Sequence, residues 1–251
     1  DLEDSVVPKE KDEAREKIKP WLNNKTISAK KYVRVNEIDS TFFIDDIRRL
    51  VNEGPDGFIL PKTNSKDDIK ILDYLITIFE KQNNTKLGHI KIVPLIETSA
   101  GILNAADIAA ESSRIEAMAF GAEDYMLDSG IPADSSQSLL HARSTLVAAS
   151  GAAGISPPVD SVFTDFNDED GLKEASKLSR GFGFQGRLVI HPKQIVTVNE
   201  VYAPTASEIK EAEKIVNAFK TSMDDGNGAI EVDGKMIDPP VYERAKKLLE
   251  M

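Results

Sequence analysis

The protein has 251 residues, of which 41% are hydrophobic and 29% are charged, and it contains no cysteine. The lack of cysteine excludes a disulfide scaffold, a thiolate metal site and a cysteine nucleophile. The 42 acidic residues outnumber the 31 basic ones, and the net charge of −11 argues against binding to nucleic acid. No apolar run is long enough to cross a bilayer, so we expect a cytoplasmic protein without membrane contact.

From residue 30 onward, short β-rich runs alternate with amphipathic helical stretches. Most of the runs are continuously apolar, which is typical of parallel strands that are covered on both faces. The alternation predicts βαβ units and a parallel sheet. The predicted strands cover residues 30–36, 56–61, 90–98, 115–124, 159–166 and 186–192.

Several of the intervening helices have recognisable ends. The pattern of apolar residues predicts a helix over residues 42–52 that stops at Gly54. Ser65 is suited to cap the next helix, because Asp68 lies three residues further on and can complete a capping box. Another long helix is predicted from Ser135 to Ala149.

Strand–helix alternation fits either an open doubly wound sheet or a closed barrel. No glycine-rich phosphate loop follows any predicted strand, which weakens the nucleotide-binding open sheet. Polar side chains instead follow the strands at their carboxyl ends, where the active sites of barrels are assembled. We therefore predict an α/β protein with a (βα)8 TIM barrel. The polar side chains are Arg34, Asn36, Lys62, Glu97, Asp124 and His191.

The end of the chain has a different pattern. A long charged helix is followed by a hairpin with its turn at Asp233-Gly234, and a last helix begins near Pro239. This stretch is too small to build a core of its own. We therefore divide the chain into a barrel over residues 1–203 and a C-terminal lid or arm over residues 204–251.

Glu97 and Asp124 follow two neighbouring predicted strands, one βα unit apart. Two carboxylates at the same end of neighbouring strands can share one Mg²⁺ ion, whose other positions are left to water and substrate oxygens. The alternative is that each acid caps the helix that follows it. Their position directly after buried sequence favours the metal site.

Arg34 lies within an apolar strand, where a guanidinium needs an anionic partner. One interpretation is a structural ion pair with Asp1, Glu3 or Asp4. The other is a clamp on a substrate carboxylate or enolate oxygen, which a planar guanidinium matches well. The two roles are compatible with each other.

Lys62 and His191 are weaker candidates. Lys62 follows a predicted strand, and an ordinary solvated lysine is the alternative to a functional role. His191 follows the last predicted strand and fits a base, a ligand, a phosphate contact or a histidine that braces the loop before Pro192. The sequence contains no nucleophile motif of the G-x-S-x-G type and no two histidines at metal-ligand spacing.

At the level of motifs, the chain resembles the citrate lyase β-subunit-like family. The resemblance covers essentially the whole chain, and its specific part is PLIET followed by GAED and IHP-x-Q-I. The family includes malyl-CoA, β-methylmalyl-CoA and citramalyl-CoA lyases. Its upstream Arg-Ser-x-Leu and Pro-Gly pattern is absent, so the CoA contacts made there have no counterpart here. In order, the matching segments are DLEDSV, YVRVN, LPK, PLIETSAGILNA, FGAEDY, IHPKQI and DGKMIDPPVYERA.

The resemblance implies roles for individual residues. It implies that Mg²⁺, or Mn²⁺, is bound by Glu97 and Asp124. It further implies that Arg34 contacts the carbonyl oxygen of the substrate. Glu3 and Asp4 would form a second layer near water on the metal.

The resemblance also implies a homotrimer or hexamer in which the C-terminal arm reaches the site of a neighbouring subunit. Asp238, in the arm, would act as the acid or base on the acetyl methyl group. We place Lys62, His191 and Gln194 with the CoA-binding residues, although the last two also fit a purely structural role in their loop.

Together, these expectations describe a Mg²⁺-dependent carbon–carbon lyase acting on an acyl-CoA thioester. By retro-Claisen chemistry, malyl-CoA or citramalyl-CoA would give glyoxylate or pyruvate and acetyl-CoA. Alternatives are the citryl-acyl-carrier-protein lyase subunit of a citrate lyase complex, and a malate-synthase-like or thioesterase activity. A non-catalytic paralogue is disfavoured because Glu97, Asp124, Arg34 and Asp238 are all present.

The strand count has a consequence for the length of the chain. Six strands, together with a stub that ends at Asp1–Asp4, give only seven positions of an eight-stranded barrel. We therefore expect the first strand to precede Asp1, and the chain to be an N-terminally truncated form of a longer protein.

Overall fold

The protein was analysed as a computed structural model, which describes residues 1–132, 136–224 and 228–250. The chain forms two compact units, Asp1–Ile195 and Val196–Met251. The second unit therefore begins somewhat before the predicted lid at residue 204. In the described ranges, no helix has both the length and the apolar character needed to span a membrane.

A six-stranded parallel sheet forms the centre of the first unit. Its strands are β1 (Tyr32–Arg34), β2 (Gly57–Leu60), β3 (Lys91–Ile96), β4 (Ala119–Phe120), β5 (Val159–Asp160) and β6 (Gly186–Arg187). Each strand pairs with the next strand in the sequence, so the order is β1 to β6 without a crossover. The predicted α/β class and parallel sheet are thus confirmed. Among the described residues β1 and β6 do not pair with each other, so the sheet is open there.

Each strand lies within its predicted run but is shorter than the run. The prediction for residues 115–124 was wrong at its end, because the chain leaves the sheet after Phe120. Gly121 still donates a backbone hydrogen bond to Ile96 of β3, and a helix begins at Ala122. Asp124 therefore lies in the first turn of a helix, where a carboxylate is stabilised by the helix dipole.

The helices of the chain up to residue 202 include the predicted ones. The helix predicted over residues 42–52 ends in a 3-10 turn, and Gly54 follows it with a φ of 77°. The capping box at Ser65 and Asp68 is present. The predicted start at Ser135 lies outside the described residues. The helices are α1 (Lys11–Leu22), α2 (Phe43–Leu50), α3 (Lys66–Gln82), α4 (Ser99–Leu103), α5 (Ala105–Ala110), α6 (Ala122–Ser129), α7 (Leu140–Ala153), α8 (Glu169–Phe182) and α9 (Gln194–Tyr202).

The core of the first unit lies between the sheet and the helices. Phe58 and Phe120 on the strands are fully buried. One side of α3 packs in this core, where Ile69 and Ile76 have no exposed surface. Parallel strands covered in this way leave their polar ends at two edges of the sheet, and the carboxyl ends share one of them.

The second unit has the predicted order of elements: α10 (Ala206–Asp224), β7 (Ile230–Val232), β8 (Lys235–Ile237) and α11 (Pro239–Leu249). Asp233 and Gly234 join the two strands with φ values of 51° and 74°. Two successive positive φ values are characteristic of a type I′ hairpin, as the Asp-Gly pair predicts. The two helices pack together through a small apolar core of Ala212, Val216 and Ala245, so the prediction that this stretch builds no core of its own was wrong.

Candidate active site

Glu97 is the central acidic residue at the carboxyl edge of the sheet. It follows β3 directly and is only 2% exposed. The backbone N–H of Lys62 donates a hydrogen bond of 2.7 Å to its Oε1. Lys62 adopts a φ of 44°, a left-handed conformation that costs a residue with a side chain about 1–3 kcal/mol. Backbone strain is thus maintained at a position that binds Glu97.

Glycine at position 121 leaves room for the same carboxylate. A Cβ atom at this position would lie 2.5 Å from Oε2 and 2.6 Å from Cβ of Glu97. Real side chains do not approach so closely, so any other residue would displace Glu97. Gly121 therefore allows the turn before Asp124 to pack directly on the end of β3.

The charges around Glu97 favour a cation. Burial is the main reason why its pKa is raised to about 7, and the negative charges of Asp124 and Glu3 raise it further. The Lys62 N–H and the charge of Arg34 oppose this shift without cancelling it. A buried carboxylate with an elevated pKa becomes more stable as an anion when a positive ion lies beside it.

The donor set at this edge fits Mg²⁺. It consists of carboxylate oxygens from Glu97 and Asp124, and oxygen ligands are those that Mg²⁺ prefers. No group of three or more His, Asp or Glu side chains in the described ranges is arranged to enclose a metal. Mg²⁺ itself commonly keeps several waters and uses only one or two protein carboxylates.

Arg34, at the end of β1, binds the N-terminal segment. Its Nε and Nη2 donate hydrogen bonds of 2.8 and 2.7 Å to the two carboxylate oxygens of Asp1. Its Nη1 lies 2.8 Å from Glu3 Oε2 and 3.7 Å from Asp4 Oδ2. The predicted ion pair is therefore present. An arginine has five N–H donors, so this network leaves donors on both Nη atoms for an additional anionic oxygen.

Glu3 is a buried acid that is paired with Arg34. It is 6% exposed, and neither of its carboxylate oxygens has a hydrogen-bond partner among the described residues. Burial raises its pKa, and the pair with Arg34 opposes that effect. Asp4 is exposed. The predicted second layer near a metal thus has a buried and an exposed member.

The Lys62 side chain is ion-paired as well as partly exposed. Its Nζ contacts Glu37, and Glu3 Oε1 lies 3.8 Å away. Hydrogen bonding and the charge of Glu37 raise the pKa of Lys62 although burial acts in the opposite direction. The lysine therefore carries a positive charge next to Glu3.

The loop after β6 is braced by Gln194. Its Oε1 accepts hydrogen bonds from the backbone N–H groups of Ile190 and His191. Its Nε2 donates a hydrogen bond of 2.8 Å to the carbonyl oxygen of Phe163. These contacts favour the loop role over a contact to CoA. The His191 ring stacks on Phe166 at 4.9 Å between centroids.

Asp238 belongs to the second unit and caps α11. Its Oδ1 accepts a hydrogen bond of 3.1 Å from the backbone N–H of Val241. A capping role of this kind accounts for an aspartate directly before Pro239 and Pro240. The acid–base role implied by the resemblance stays a prediction.

Three features of the site escaped sequence reasoning. They are the left-handed backbone at Lys62, the close packing of Gly121, and the ion pair of Glu37. The glycine between an apolar strand and AED was a usable signal, because glycine permits a close approach. Nothing in the sequence indicated the conformation of Lys62, since only glycine and asparagine commonly mark a positive φ.

The fold and the site together define a class: an α/β protein with a buried carboxylate, Glu97, at the carboxyl ends of the strands of a parallel sheet. Residues 1–192 match the family model described as HpcH/HpaI aldolase/citrate lyase. The chain belongs to this family, which confirms the resemblance seen in its motifs. The family is one of aldolases and lyases, in agreement with the predicted enzyme class.

Several curated relatives extend over the whole chain. The citrate lyase subunit beta of Leuconostoc mesenteroides subsp. cremoris is 37% identical, covering 100% of this chain and 83% of the relative. The mitochondrial citramalyl-CoA lyase of Rattus norvegicus is 31% identical, covering 100% and 77%. The L-malyl-CoA/beta-methylmalyl-CoA lyase of Rhodobacter capsulatus is 32% identical, covering 99% and 85%.

Solved structures agree with these relatives. Protein CitE from Mycobacterium tuberculosis, in complex with magnesium, acetoacetate and coenzyme A, is 27% identical with a TM-score of 0.78. That similarity covers 99% of this chain and 86% of the other. RipC from Yersinia pestis is 33% identical with a TM-score of 0.72, covering 83% and 89%.

Proposed function

We propose that the protein is a Mg²⁺-dependent carbon–carbon lyase that cleaves malyl-CoA or citramalyl-CoA into a 2-oxo acid and acetyl-CoA. The observation that carries this proposal is the buried Glu97 carboxylate, whose pKa is raised to about 7 beside Asp124. Relatives named as lyases of both substrates support it. The solved CitE complex with magnesium and coenzyme A supports the two cofactors.

Glu97 and Asp124 would hold the cation. When bound, Mg²⁺ acts as a Lewis acid on the oxygens of the substrate's hydroxy acid part. The Lys62 N–H and Gly121 keep the Glu97 carboxylate in place. Glu3, buried behind Arg34, adds negative charge to the same edge.

Cleavage requires that the hydroxyl proton passes to solvent water, that the carbon–carbon bond breaks to form the oxo acid, and that the electron pair of this bond remains as the enolate of acetyl-CoA. Arg34 is suited to the enolate oxygen, because donors on its Nη atoms remain after its bonds to Asp1. Asp238 would then protonate the enolate carbon. Lys62 and His191 stay proposed contacts to the CoA part.

We also propose that the six strands belong to a (βα)8 barrel. The backbone N–H of Leu2 donates a hydrogen bond of 2.9 Å to the carbonyl oxygen of Arg34, so backbone pairing continues beyond the outer edge of β1. The proposed assembly is a homotrimer or hexamer in which each arm serves a neighbour. Mixing inactive Asp238→Asn and Glu97→Ala subunits would test this, since recovered activity requires an arm and a core from different chains. An inactive mixture that has demonstrably exchanged subunits would contradict the shared site.

The direct test is to assay the purified chain, without partner proteins, on malyl-CoA and (S)-citramalyl-CoA with Mg²⁺. We expect glyoxylate or pyruvate to appear, the activity to disappear with a chelator, and Mg²⁺ or Mn²⁺ to restore it. Release of free CoA without an oxo acid would instead indicate a thioesterase.

A second candidate is the β subunit of a citrate lyase complex. It is favoured by the 37% identity to a citrate lyase subunit beta, compared with 31% to a citramalyl-CoA lyase. In that case, cleavage would require a citryl thioester on an acyl carrier protein. Comparing cleavage of malyl-CoA and (S)-citramalyl-CoA with cleavage of a citryl thioester on a carrier protein separates the two candidates.

A further inference from the structure

The helix that carries Asp124 is held at its first residue by a side chain from another strand. Its N-cap is Gly121, which has no side chain to satisfy the first N–H groups of α6. The backbone N–H of Ala122 instead donates a hydrogen bond of 2.9 Å to Oγ of Ser161, and this hydrogen bond is buried. Ser161 directly follows β5 and is 3% exposed.

Ser161 is itself fixed by a buried ion cluster. Arg187 on β6 donates two hydrogen bonds. One runs from Nη1 to the carbonyl oxygen of Ser161 (2.8 Å), and the other runs from Nη2 to Oδ2 of Asp160 (2.9 Å). The Nε of Arg143, on α7, lies 3.2 Å from Oδ1 of the same aspartate. Asp160 has no exposed surface, and both arginines are 8% exposed. The position of the Ser161 hydroxyl is therefore set by packed, charge-paired groups.

The turn that leads to Asp124 is also held from the side of β3. The backbone N–H of Gly121 donates a hydrogen bond of 2.9 Å to the carbonyl oxygen of Ile96, and the glycine packs on Glu97. The segment from Gly121 to Asp124 is thus attached to β3 on one side and to the end of β5 on the other. Asp124 is two residues after Ala122, in the same helical turn.

We propose that Ser161 is a positioning residue for Asp124, and that it sets the separation of the Asp124 and Glu97 carboxylates in the metal site. The proposal rests on the proposed role of these two acids as metal ligands. Groups that orient metal ligands contribute about 10–100-fold to metal affinity. Ser161 acts through one helical turn, so we expect an effect of about tenfold when its hydroxyl is removed.

The chain offers a matched control. Ser176 on α8 is fully buried, and its Oγ has no hydrogen-bond partner in the described part of the chain. Ser161→Ala and Ser176→Ala therefore remove the same atoms from similarly buried positions, but only the first removes a hydrogen bond. Thermal unfolding of both metal-free variants shows whether either is generally loosened.

The experiment measures Mn²⁺ binding to the full chain by electron paramagnetic resonance, without substrate. We expect Ser161→Ala to weaken Mn²⁺ binding about tenfold, and Ser176→Ala to leave it within about twofold of the parent. Equal affinities of the parent and Ser161→Ala, or equal losses in both serine variants, would overturn the positioning role.

Asp124→Asn separates this inference from the proposed function. If Asp124→Asn loses Mn²⁺ binding while Ser161→Ala retains it, the metal site stands and the positioning role fails. If Asp124→Asn binds Mn²⁺ like the parent, the metal site itself is wrong, and the role of Ser161 falls with it.

Discussion

Two buried glutamates at opposite edges of the sheet, Glu80 and Glu97, are surrounded by different partners. Glu80, on α3, is paired with Arg114, which precedes β4 at the amino edge. All five N–H donors of Arg114 form hydrogen bonds, two of them to Glu80. The side chain of Arg34, at the carboxyl edge, forms two hydrogen bonds, both to Asp1, and an ion pair with Glu3. Glu97 at that edge has no such arginine of its own.

The pKa values reflect this difference. Hydrogen bonds from Arg114 and Gly88 lower the pKa of Glu80 despite its burial. Burial and neighbouring acids raise that of Glu97. A fully satisfied ion cluster maintains the fold, whereas a buried carboxylate without a cation lowers the stability of the fold and keeps a binding site ready. This contrast supports a structural role for the amino edge and is consistent with the functional role that we propose for the carboxyl edge.

Removing the Glu97 charge should have the largest effect. Glu97→Gln keeps the shape of the side chain but removes a ligand charge, so we expect Mg²⁺-dependent turnover to fall at least ~10³-fold. The apo protein should be no less stable than the parent, because the buried charge is gone. Oxo acid release and chemical denaturation measure the two quantities, and strong turnover in Glu97→Gln would contradict the functional assignment of this edge.

At the amino edge, removing Arg114 should lower the stability of the protein rather than its catalytic activity in the folded state. Arg114→Met leaves Glu80 buried without its partner, and breaking a buried ion pair in this way costs about 3–5 kcal/mol. Arg34→Met should cost less, because that side chain is 26% exposed and both of its hydrogen bonds go to partly exposed Asp1, although the substitution also removes the ion pair to buried Glu3. Urea denaturation of both variants tests the contrast, which fails if the two losses of stability are equal.

Gly121→Ala should damage the carboxyl edge through a single methyl group. The new Cβ would lie 2.5 Å from Glu97 Oε2, so the carboxylate must move. We expect Mg²⁺ affinity to fall about 10–100-fold, as when a ligand loses its orientation. Gly151→Ala is the control, because a Cβ there meets no atom within 4 Å and lies in α7. This variant should bind Mg²⁺ normally and gain about 0.5–1 kcal/mol of stability.

The sequence was sufficient for the strand order, because each apolar run pairs with its neighbour and local pattern determines the topology. It also placed Glu97 at the carboxyl end of a buried strand, whereas the role of Glu97 and Asp124 as metal ligands stays a prediction. It did not show where β4 ends, because Gly121, Ala122 and the preceding strand have a similar apolar composition. The hydrogen bond of Ser161 to Ala122 was equally inaccessible, since it joins residues far apart in the chain.

The smallest expected effect concerns pH. Ionisation of Glu97 and ionisation of Glu80 should change the free energy of unfolding in opposite directions. The ordinary pKa of each is 4.5. For Glu97, whose folded pKa is raised to about 7, ionisation costs stability as the pH rises from 4.5 to about 7. The free energy of unfolding of metal-free Glu97→Gln should therefore rise relative to that of the parent over this pH range, by about 1–3 kcal/mol.

For Glu80, the folded pKa is lowered, so its contribution is complete above the ordinary value of 4.5 and is lost as the pH falls through the folded value. Glu80→Gln should therefore be less stable than the parent at neutral pH, and the difference should shrink in acid. Urea denaturation with a chelator, from about pH 3 to about pH 8, measures both variants against the parent. Parallel pH profiles for Glu97→Gln and Glu80→Gln would contradict the division of the sheet into a structural and a functional edge.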